Sequence, residues 1–241
     1  MSPLLDYTHL ATALLKRAAD YTTQSPFAHA VIDDFISEAL VRDILRVFPR
    51  IESTSSAHKT YGEHEGEAAQ LNKRWLAMEV RTPPLIRQLY RELQSADFIS
   101  LLETMTGIPG LFPDPHMLGG GIHETLPGGF LKVHADFNVH PEYHLYRRIN
   151  LLIYLNEGWQ PEWHGDLQLW NTAGTECIKT VMPTAGRAVI FSTSSCSFHG
   201  HPEPLACPAN NSRKSIALYY FSQHRPSEGD QKMHMTLWKK S

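Results

Sequence analysis

The chain has 241 residues, of which 42% are hydrophobic and 20% charged, and its formal net charge at pH 7 is -3. This composition is typical of globular proteins and excludes disordered, collagen-like and coiled-coil classes, while the balanced charge predicts no nucleic-acid partner. No apolar run approaches the roughly 20 residues that span a bilayer, and three widely spaced cysteines predict reduced thiols in a cytoplasmic protein rather than a disulfide framework.

The N-terminal third is predicted to be mostly helical. A short strand over 27–35 leads into a helix capped by Ser37, because apolar residues recur there at i, i+4, i+7 and i+8. A second helix is predicted over 84–93, with Pro84 in its first turn. A third is predicted from Ser95, as its cap, to the stop signal at Gly107.

The stretch Glu52–Gln70, between the first and second predicted helices, is rich in Ser, Thr, Gly and Glu. It is poor in large apolar residues, so no regular element is predicted there. Two interpretations stay open: a solvated loop, or a lid over a functional site.

From His116 onward, the pattern changes to short strands separated by turns rich in Gly, Pro and Asn. The candidates are Met117–Thr125, Phe130–His134, Arg148–Asn156, Asp166–Trp170, Cys177–Met182, Arg187–Ser192 and Ser215–Ser222. Strands at this spacing favour a sandwich, barrel or jelly roll over a parallel sheet. We therefore predict one α+β domain over 1–241, with mostly helical support in 1–115 and a mainly β core in 116–224.

The stretch from Lys132 to Asn138 has the pattern of a metal site. Residues two apart in a strand point to the same face, so His134 and Asp136 can hold one ion side by side. Two histidines and one carboxylate form the ligand set of non-haem Fe(II) oxygenases, which leaves coordination positions open. The sequence Phe-His-Gly-His at 198–201 supplies the third ligand, and both of its histidines are candidates.

Several stretches together resemble the Fe(II)- and 2-oxoglutarate-dependent dioxygenases, specifically the prolyl-4-hydroxylase-like branch. They are PGGFLKVHAD, RRINLLIYLN, HGDLQLW, RAVIFSTSSCSFHG and RKSIALYYF, together covering roughly residues 116–224, and VIDDFISEALVRDI resembles the strand-helix entry of that branch. The resemblance implies a double-stranded β-helix, or jelly roll, with N-terminal helices packed on one side.

The resemblance also implies which residues hold iron. His134, Asp136 and His199 match the metal ligands of the family, and the family pattern places a glycine directly after the distal histidine, which favours His199 over His201. Because the aspartate is present, the resemblance does not extend to the halogenase variant, in which chloride occupies that position.

For the co-substrate, the resemblance implies that Arg213 holds the distal carboxylate of 2-oxoglutarate, with Ser215 two residues along and Tyr154 as further contacts. The chemistry agrees, because a buried carboxylate is best bound by the bidentate, always charged guanidinium rather than by the neighbouring Lys214.

Two positions depart from the family. Glu124 stands about ten residues before the His-x-Asp motif, where a tyrosine or similar residue is usual, which leaves the inner carboxylate contacts open.

The second departure is Tyr219, which replaces the additional arginine of alkylated-base demethylases and argues against nucleic-acid repair. Substrate contacts are expected from Asn138, Arg148 and His201. The alternative for the arginine is a surface ion pair, and the alternative for the histidine is a position that supports the metal ligands or lies at the rim of the site. Arg147 is a candidate of the same kind.

The predicted function is hydroxylation of an unactivated C–H bond in a small molecule or in a peptidyl or amino-acid substrate, prolyl included, with release of succinate and CO2. The implied cofactors are Fe(II), 2-oxoglutarate and O2, with ascorbate as a candidate reductant. No membrane partner is predicted, and the sequence does not predict an oligomeric state. Two alternatives remain: a jelly-roll metal-binding sensor, and a cupin-type metal-assisted hydrolase or isomerase without 2-oxoglutarate turnover.

Overall fold

The computed structural model describes residues 2–51, 63–64, 67–77, 82–114, 119–224 and 232–239. Its helices are α1 (Tyr7–Ala18), α2 (Glu38–Arg46), α3 (Pro84–Leu93) and α4 (Ala96–Thr106). The predicted caps are present: the Ser37 and Ser95 side chains accept hydrogen bonds from backbone N–H groups in the first turns of α2 and α4. Gly107 ends α4 in the left-handed conformation, with φ of 70°.

Antiparallel strands make up most of the rest. They are β1 (His29–Ile32), β2 (Glu63–His64), β3 (Glu67–Ala68), β4 (Gln70–Leu76), β5 (Phe112–Pro113), β6 (Gly121–Ala135), β7 (Tyr146–Tyr154), β8 (Leu167–Trp170), β9 (Cys177–Val181), β10 (Ala188–Ser192), β11 (His199–His201), β12 (Arg213–Ser222) and β13 (Leu237–Trp238). The main sheet has the order β1-β10-β7-β12-β6-β11-β8-β9, with β4 and β13 also on β6 and β5 on β12. Curled upon itself, this sheet is the nearly closed jelly-roll core that the sequence predicts.

The long strand β6 joins the two halves of the barrel. Its first part pairs with β12, where Thr125 lies opposite Arg213, and its second part pairs with β11, where His134 lies opposite His199. Between these parts the chain passes Gly128, whose φ is 73°. The prediction of two separate strands here is wrong, because the glycines bend the chain without ending its pairing.

All four helices lie on one side of the barrel, as predicted for the N-terminal helices, although α1 is not among the three helices predicted from the sequence. Their apolar faces pack against the outward side chains of β6, β7 and β12, including Ile122, Ile153 and Ile216, in one buried cluster. Two buried tyrosine hydroxyls donate hydrogen bonds across this interface, from Tyr90 to the Ala217 carbonyl at 3.1 Å and from Tyr220 to a helix carbonyl at 2.8 Å. The helices thus stabilise one face of the barrel and leave its interior for other side chains.

The N-terminal part also contributes strands to the barrel, which the sequence analysis only partly predicted. β1 pairs with β10, and β4 runs along β6. Of the proposed loop or lid over 52–70, residues 52–62 and 65–66 lie outside the described residues, as do 117–118 of the first predicted core strand. The backbone of β2 and β3 forms a short hairpin, and Gln70 already begins β4.

The predicted strands over 148–156, 166–170, 177–182, 187–192 and 215–222 correspond to β7, β8, β9, β10 and β12, with ends that differ by one or two residues. None of the three cysteines is in a disulfide. Among the helices of the described segments, none is long and apolar enough to cross a membrane.

Candidate functional site

Three side chains of the types that bind metals meet where β6 ends and β11 begins. His134, Asp136 and His199 place one ligand atom each within 4.8 Å of the other two, the one such cluster in the described part of the chain. The carboxylate lies between the rings, with Oδ1 3.5 Å from Nε2 of His134 and Oδ2 3.5 Å from Nε2 of His199. The register of β6 and β11 produces this convergence, because His134 and His199 are direct cross-strand partners.

Backbone carbonyls fix the tautomers of both histidines. Nδ1 of His134 lies 2.8 Å from the Lys132 carbonyl, and Nδ1 of His199 lies 2.9 Å from the Ser197 carbonyl. A carbonyl can only accept, so each Nδ1 carries the proton and each Nε2 presents its lone pair to the centre of the cluster. Burial, together with the neighbouring His134, lowers the pKa of His199 to about 4, which keeps that ring neutral.

Two neighbouring side chains contact the carboxylate of Asp136 and hold it in place. Asn150 donates a hydrogen bond of 2.8 Å to Oδ2 of Asp136, and Nη2 of Arg147 lies 3.0 Å from the same oxygen. Burial alone would raise the pKa of this carboxyl, but the charge of the Arg147 guanidinium holds it well below its usual range. The cluster therefore offers one carboxylate and two imidazole lone pairs, a donor set that fits Fe(II).

Arg147 is itself fixed by packing. It is 2% exposed, its Nε donates to Asn150 Oδ1 at 2.9 Å, and its guanidinium carbon lies 3.5 Å from the centre of the Tyr219 ring. Tyr219, the position that departs from the demethylase pattern, thus supports the arginine that supports Asp136. The sequence analysis named Arg147 among further candidates, whereas the structure places it directly on the metal site.

The glycine between the two candidate distal histidines has a steric role. A Cβ on Gly200 would lie 2.8 Å from the carbonyl oxygens of both Leu131 and Lys132, so only glycine lets β11 approach β6 this closely. The structure brings His199 into the cluster. His201 lies outside it, buried, with its Nδ1 atom unpaired among the described residues.

A second group of polar side chains lies inside the same barrel. Arg213 is 6% exposed, its Nε donates to the Gly165 carbonyl at 2.7 Å, and its Nη2 lies 3.4 Å from the Tyr154 hydroxyl. Ser215 is the cross-strand partner of Tyr154, so these three side chains share one face of the sheet. None of these contacts of the buried Arg213 guanidinium is with a carboxylate. The guanidinium can therefore bind an anion.

Gly165, just before β8, makes room for this arginine. Its φ is 82°, and a Cβ there would lie 2.5 Å from Leu205 and 3.1 Å from Arg213 Cδ. A larger residue at this position would therefore displace the guanidinium.

Glu124 does not take part in this anion site. It lies opposite Lys214 and Arg74 in the strand registers and is 3.8 Å and 3.7 Å from their charged groups, on the face that also carries Ile122 beneath the helices. The departure from the family pattern at Glu124 therefore adds no contact to this anion site, and the inner carboxylate contacts stay open. Alternation along β6 instead turns His123 and Thr125 toward the barrel interior.

The remaining candidates, Asn138 and Arg148, form hydrogen bonds with other parts of the chain. The Asn138 amide donates to the Lys232 carbonyl at 2.8 Å and accepts from the His234 N–H at 2.9 Å. The Arg148 guanidinium donates to Ser222 at 3.0 Å and to the His224 carbonyl at 3.1 Å. In these contacts both side chains hold neighbouring segments of the chain.

The C-terminal segment that Asn138 holds covers one side of the metal cluster. Within it β13 pairs with the end of β6, and the Trp238 ring centre lies 4.8 Å from that of His134. The sequence analysis missed this contact. The sequence Thr-Leu-Trp at 236–238 has strand-forming residues, but it is too short to predict a partner strand.

Comparisons with known proteins identify the arrangement. Residues 120–221, which include the metal cluster and Arg213, match the family model described as "2OG-Fe(II) oxygenase superfamily". No curated protein sequence matches the chain significantly.

Solved structures share the whole fold at low sequence identity. A prolyl-4-hydroxylase from Pseudomonas putida is 18% identical, with a TM-score of 0.61 over 88% of this chain and 100% of that chain. A prolyl hydroxylase from Trichoplax adhaerens, in complex with a hypoxia inducible factor peptide, is 16% identical, with a TM-score of 0.58 over 90% and 91%. HygX from Streptomyces hygroscopicus, with nickel, 2-oxoglutarate and hygromycin B bound, is 12% identical, with a TM-score of 0.54 over 81% and 83%.

Proposed function

We propose that this chain, whose residues 120–221 match the 2OG-Fe(II) oxygenase model, is a member of that superfamily. We propose further that it hydroxylates an unactivated C–H bond of a small molecule or of a peptidyl or amino-acid substrate. It is an oxygenase whose chemistry uses Fe(II), 2-oxoglutarate and O2. In the proposed reaction one oxygen atom of O2 enters the substrate and the other enters succinate, with loss of CO2 from 2-oxoglutarate.

The observation that carries this proposal is the presence of two different sites in one barrel. The cluster of His134, Asp136 and His199 supplies a metal site, and Arg213 with its two neighbours supplies a buried anion site. A metal-binding sensor or a cupin-type hydrolase needs the first site alone. The second site is explained by a co-substrate that carries a carboxylate at the end away from the metal.

We assign one proposed role to each of the two groups of residues. His134, Asp136 and His199 would hold Fe(II), which when bound activates O2 at the expense of the co-substrate. Arg213 and Tyr154 would bind the distal carboxylate of 2-oxoglutarate, with Ser215 beside them, and thereby fix the orientation of its 2-oxo acid end. Burial of these groups excludes water, which strengthens each of the charged contacts.

Arg147 and Asn150 would keep Asp136 ionised and in one orientation throughout the reaction, since both contact the same carboxylate oxygen. Neither has to donate a proton. Their contribution is a rigid support for the metal ligand.

For the substrate, the similar structures contain both classes that we propose. The Trichoplax enzyme was crystallised with a peptide, and HygX with hygromycin B, a small molecule. A prolyl side chain within a peptide is one substrate we propose to test, because two of the similar structures described above are prolyl hydroxylases.

The test is oxygen-isotope labelling under ¹⁸O2. Purified protein with Fe(II), 2-oxoglutarate and ascorbate would be incubated with prolyl peptides, free amino acids and small metabolites, and the products analysed by mass spectrometry. We expect ¹⁸O in succinate and, for the true substrate, ¹⁸O in a hydroxylated product. Product formed equally well without 2-oxoglutarate, or metal-dependent turnover without ¹⁸O in any product, would rule out the proposal.

A further inference from the structure

Lys73 of β4 lies level with Arg213 inside the barrel. β6 is flanked at this point by β4 on one side and β12 on the other, and Thr125 is the cross-strand partner of both Lys73 and Arg213. Directly paired residues share a face of a sheet, so the two cations flank the buried threonine on the interior side.

The residues next along the same three strands support this assignment of faces. Arg74 and Lys214 are partners of Glu124, and both cations lie within 4 Å of its carboxylate on the other face of the sheet. Those outer charges are paired. Within the described segments, neither Lys73 nor Arg213 forms an ion pair with a carboxylate, and the charges of Asp136 and Asp166 act on them from farther away.

Lys73 is partly buried and has no hydrogen bond or ion pair among the described residues. Burial, with the nearby Arg213 guanidinium, lowers its pKa to about 8, and the charge of Asp136 opposes this shift only in part. A lysine without a partner in such a place is unfavourable in the absence of a ligand. An anion bound between the two cations would remove that cost.

His201 gives independent support for a ligand in this part of the barrel. It is 3% exposed, and its Nδ1 atom has no hydrogen-bond partner among the described residues. Its cross-strand partner on β6, Leu131, is also the partner of Gln70 on β4, three residues before Lys73, so β4 and β11 approach each other along β6 here. Buried polar atoms are normally paired, so an unpaired one here indicates a missing partner.

We propose that Lys73 is a second cationic anchor for the distal carboxylate of 2-oxoglutarate, so that the co-substrate is held between β4 and β12 by Lys73 and Arg213 together. The inference rests on the proposed function, because it assumes that 2-oxoglutarate is the co-substrate. It adds a binding residue from a strand outside the matched region 120–221.

The test compares two ligands that differ only at the distal end. Fe(II)-loaded protein would be titrated under anaerobic conditions with 2-oxoglutarate and with 2-oxopentanoate, which has the same chain length but a methyl group in place of the distal carboxylate. Metal-to-ligand charge-transfer absorption gives each dissociation constant without turnover.

For Lys73→Met we expect the affinity for 2-oxoglutarate to fall about 10- to 100-fold, as for the loss of one charge-assisted hydrogen bond. The affinity for 2-oxopentanoate should stay unchanged. Lys73→Arg, which keeps the charge, should retain most of the affinity for 2-oxoglutarate. Arg74→Met, which removes a charge from the outer face of the same strand, is the matched control and should bind both ligands as the wild type does.

Stability of the ligand-free protein is the second readout. Because Lys73→Met removes an unpaired, partly buried charge, its thermal midpoint without ligand should be at least as high as that of the wild type, and 2-oxoglutarate should raise it less. Unchanged affinity of Lys73→Met for 2-oxoglutarate would overturn the inference, and so would an equal loss for both ligands. If the wild type itself binds no 2-oxoglutarate, the proposed function fails instead.

Discussion

Each donor atom of the metal cluster is oriented by a neighbour that binds no metal. Backbone carbonyls hold the Nδ1 atoms of His134 and His199, while Arg147 and Asn150 hold one oxygen of Asp136. The pair His134 and Asp136 follows a local strand pattern and could be predicted, whereas His199 was preferred to His201 only through the family resemblance. Arg147 could not be distinguished from Arg148 by sequence, because only the packing of the first over Tyr219 turns it toward Asp136.

The first prediction concerns Asp136 as a ligand. Asp136→Ala should abolish tight binding of Fe(II), because two imidazoles alone form an incomplete site. Anaerobic calorimetry with Fe(II), or with Mn(II) as a redox-stable substitute, measures this. Asp43→Ala, an exposed carboxylate on α2, should bind metal as the wild type does. Tight metal binding by Asp136→Ala would show that the metal is held elsewhere.

The second prediction concerns the support of that ligand. Arg147→Met should weaken metal binding about 10- to 100-fold, the usual cost of removing a group that orients a metal ligand. Arg148→Met is the matched control, since the adjacent guanidinium binds Ser222 and the His224 carbonyl. Equal metal affinities in the two variants would contradict the supporting role of Arg147.

At the scale of elements, β6 and its neighbours determine the site. The strand pairs with β12 in its first part and with β11 in its second, so it links the anion site to the metal cluster. The sequence predicted the strand segments but not their continuity, because Gly128 and Gly129 are typical of a turn as well as of a bend. It also missed β4, since the sequence Gln-Leu-Asn-Lys-Arg-Trp-Leu lacks the alternation of a half-buried strand.

The third prediction concerns the C-terminal segment. Asn138→Ala should remove both hydrogen bonds to Lys232 and His234 and lower the free energy of unfolding by about 1–3 kcal/mol. Hydrogen exchange should become faster over 232–239, and metal affinity should change little, because Asn138 is not a ligand. Asn211→Ala, in the turn before β12, should leave exchange in that segment unchanged, because its side chain accepts from the neighbouring Ser212 N–H. Unaltered exchange in Asn138→Ala, with a loss of substrate turnover, would favour a direct substrate contact instead.

At the scale of the whole molecule, the barrel separates structural from chemical side chains. Helices cover the outward faces of β6, β7 and β12 through apolar contacts, while the inward faces of the same strands carry Arg213, Ser215 and Tyr154. The order of the predicted helices and strands along the chain, together with the family motifs, was sufficient to predict the architecture. The cross-strand neighbours of each residue were not predictable, so neither the pairing of Glu124 with Arg74 and Lys214 nor the position of Lys73 opposite Thr125 could be predicted.

A fourth prediction belongs to this scale. Ligands that bind only the folded state stabilise it, so Mn(II) and 2-oxoglutarate together should raise the thermal midpoint more than either alone. Arg213→Met should lose the part of this shift that 2-oxoglutarate adds and keep the part due to the metal. A variant that keeps the full shift would show that the co-substrate does not bind at Arg213.

The most direct measurement is the anaerobic optical titration of the Fe(II)-loaded wild type with 2-oxoglutarate. We expect a saturable charge-transfer absorption at one equivalent of co-substrate, absent from Asp136→Ala and shifted to much higher 2-oxoglutarate concentrations in Arg213→Met. No absorption change in a wild-type protein that holds its iron would contradict the assignment of this barrel as an Fe(II)- and 2-oxoglutarate-binding site.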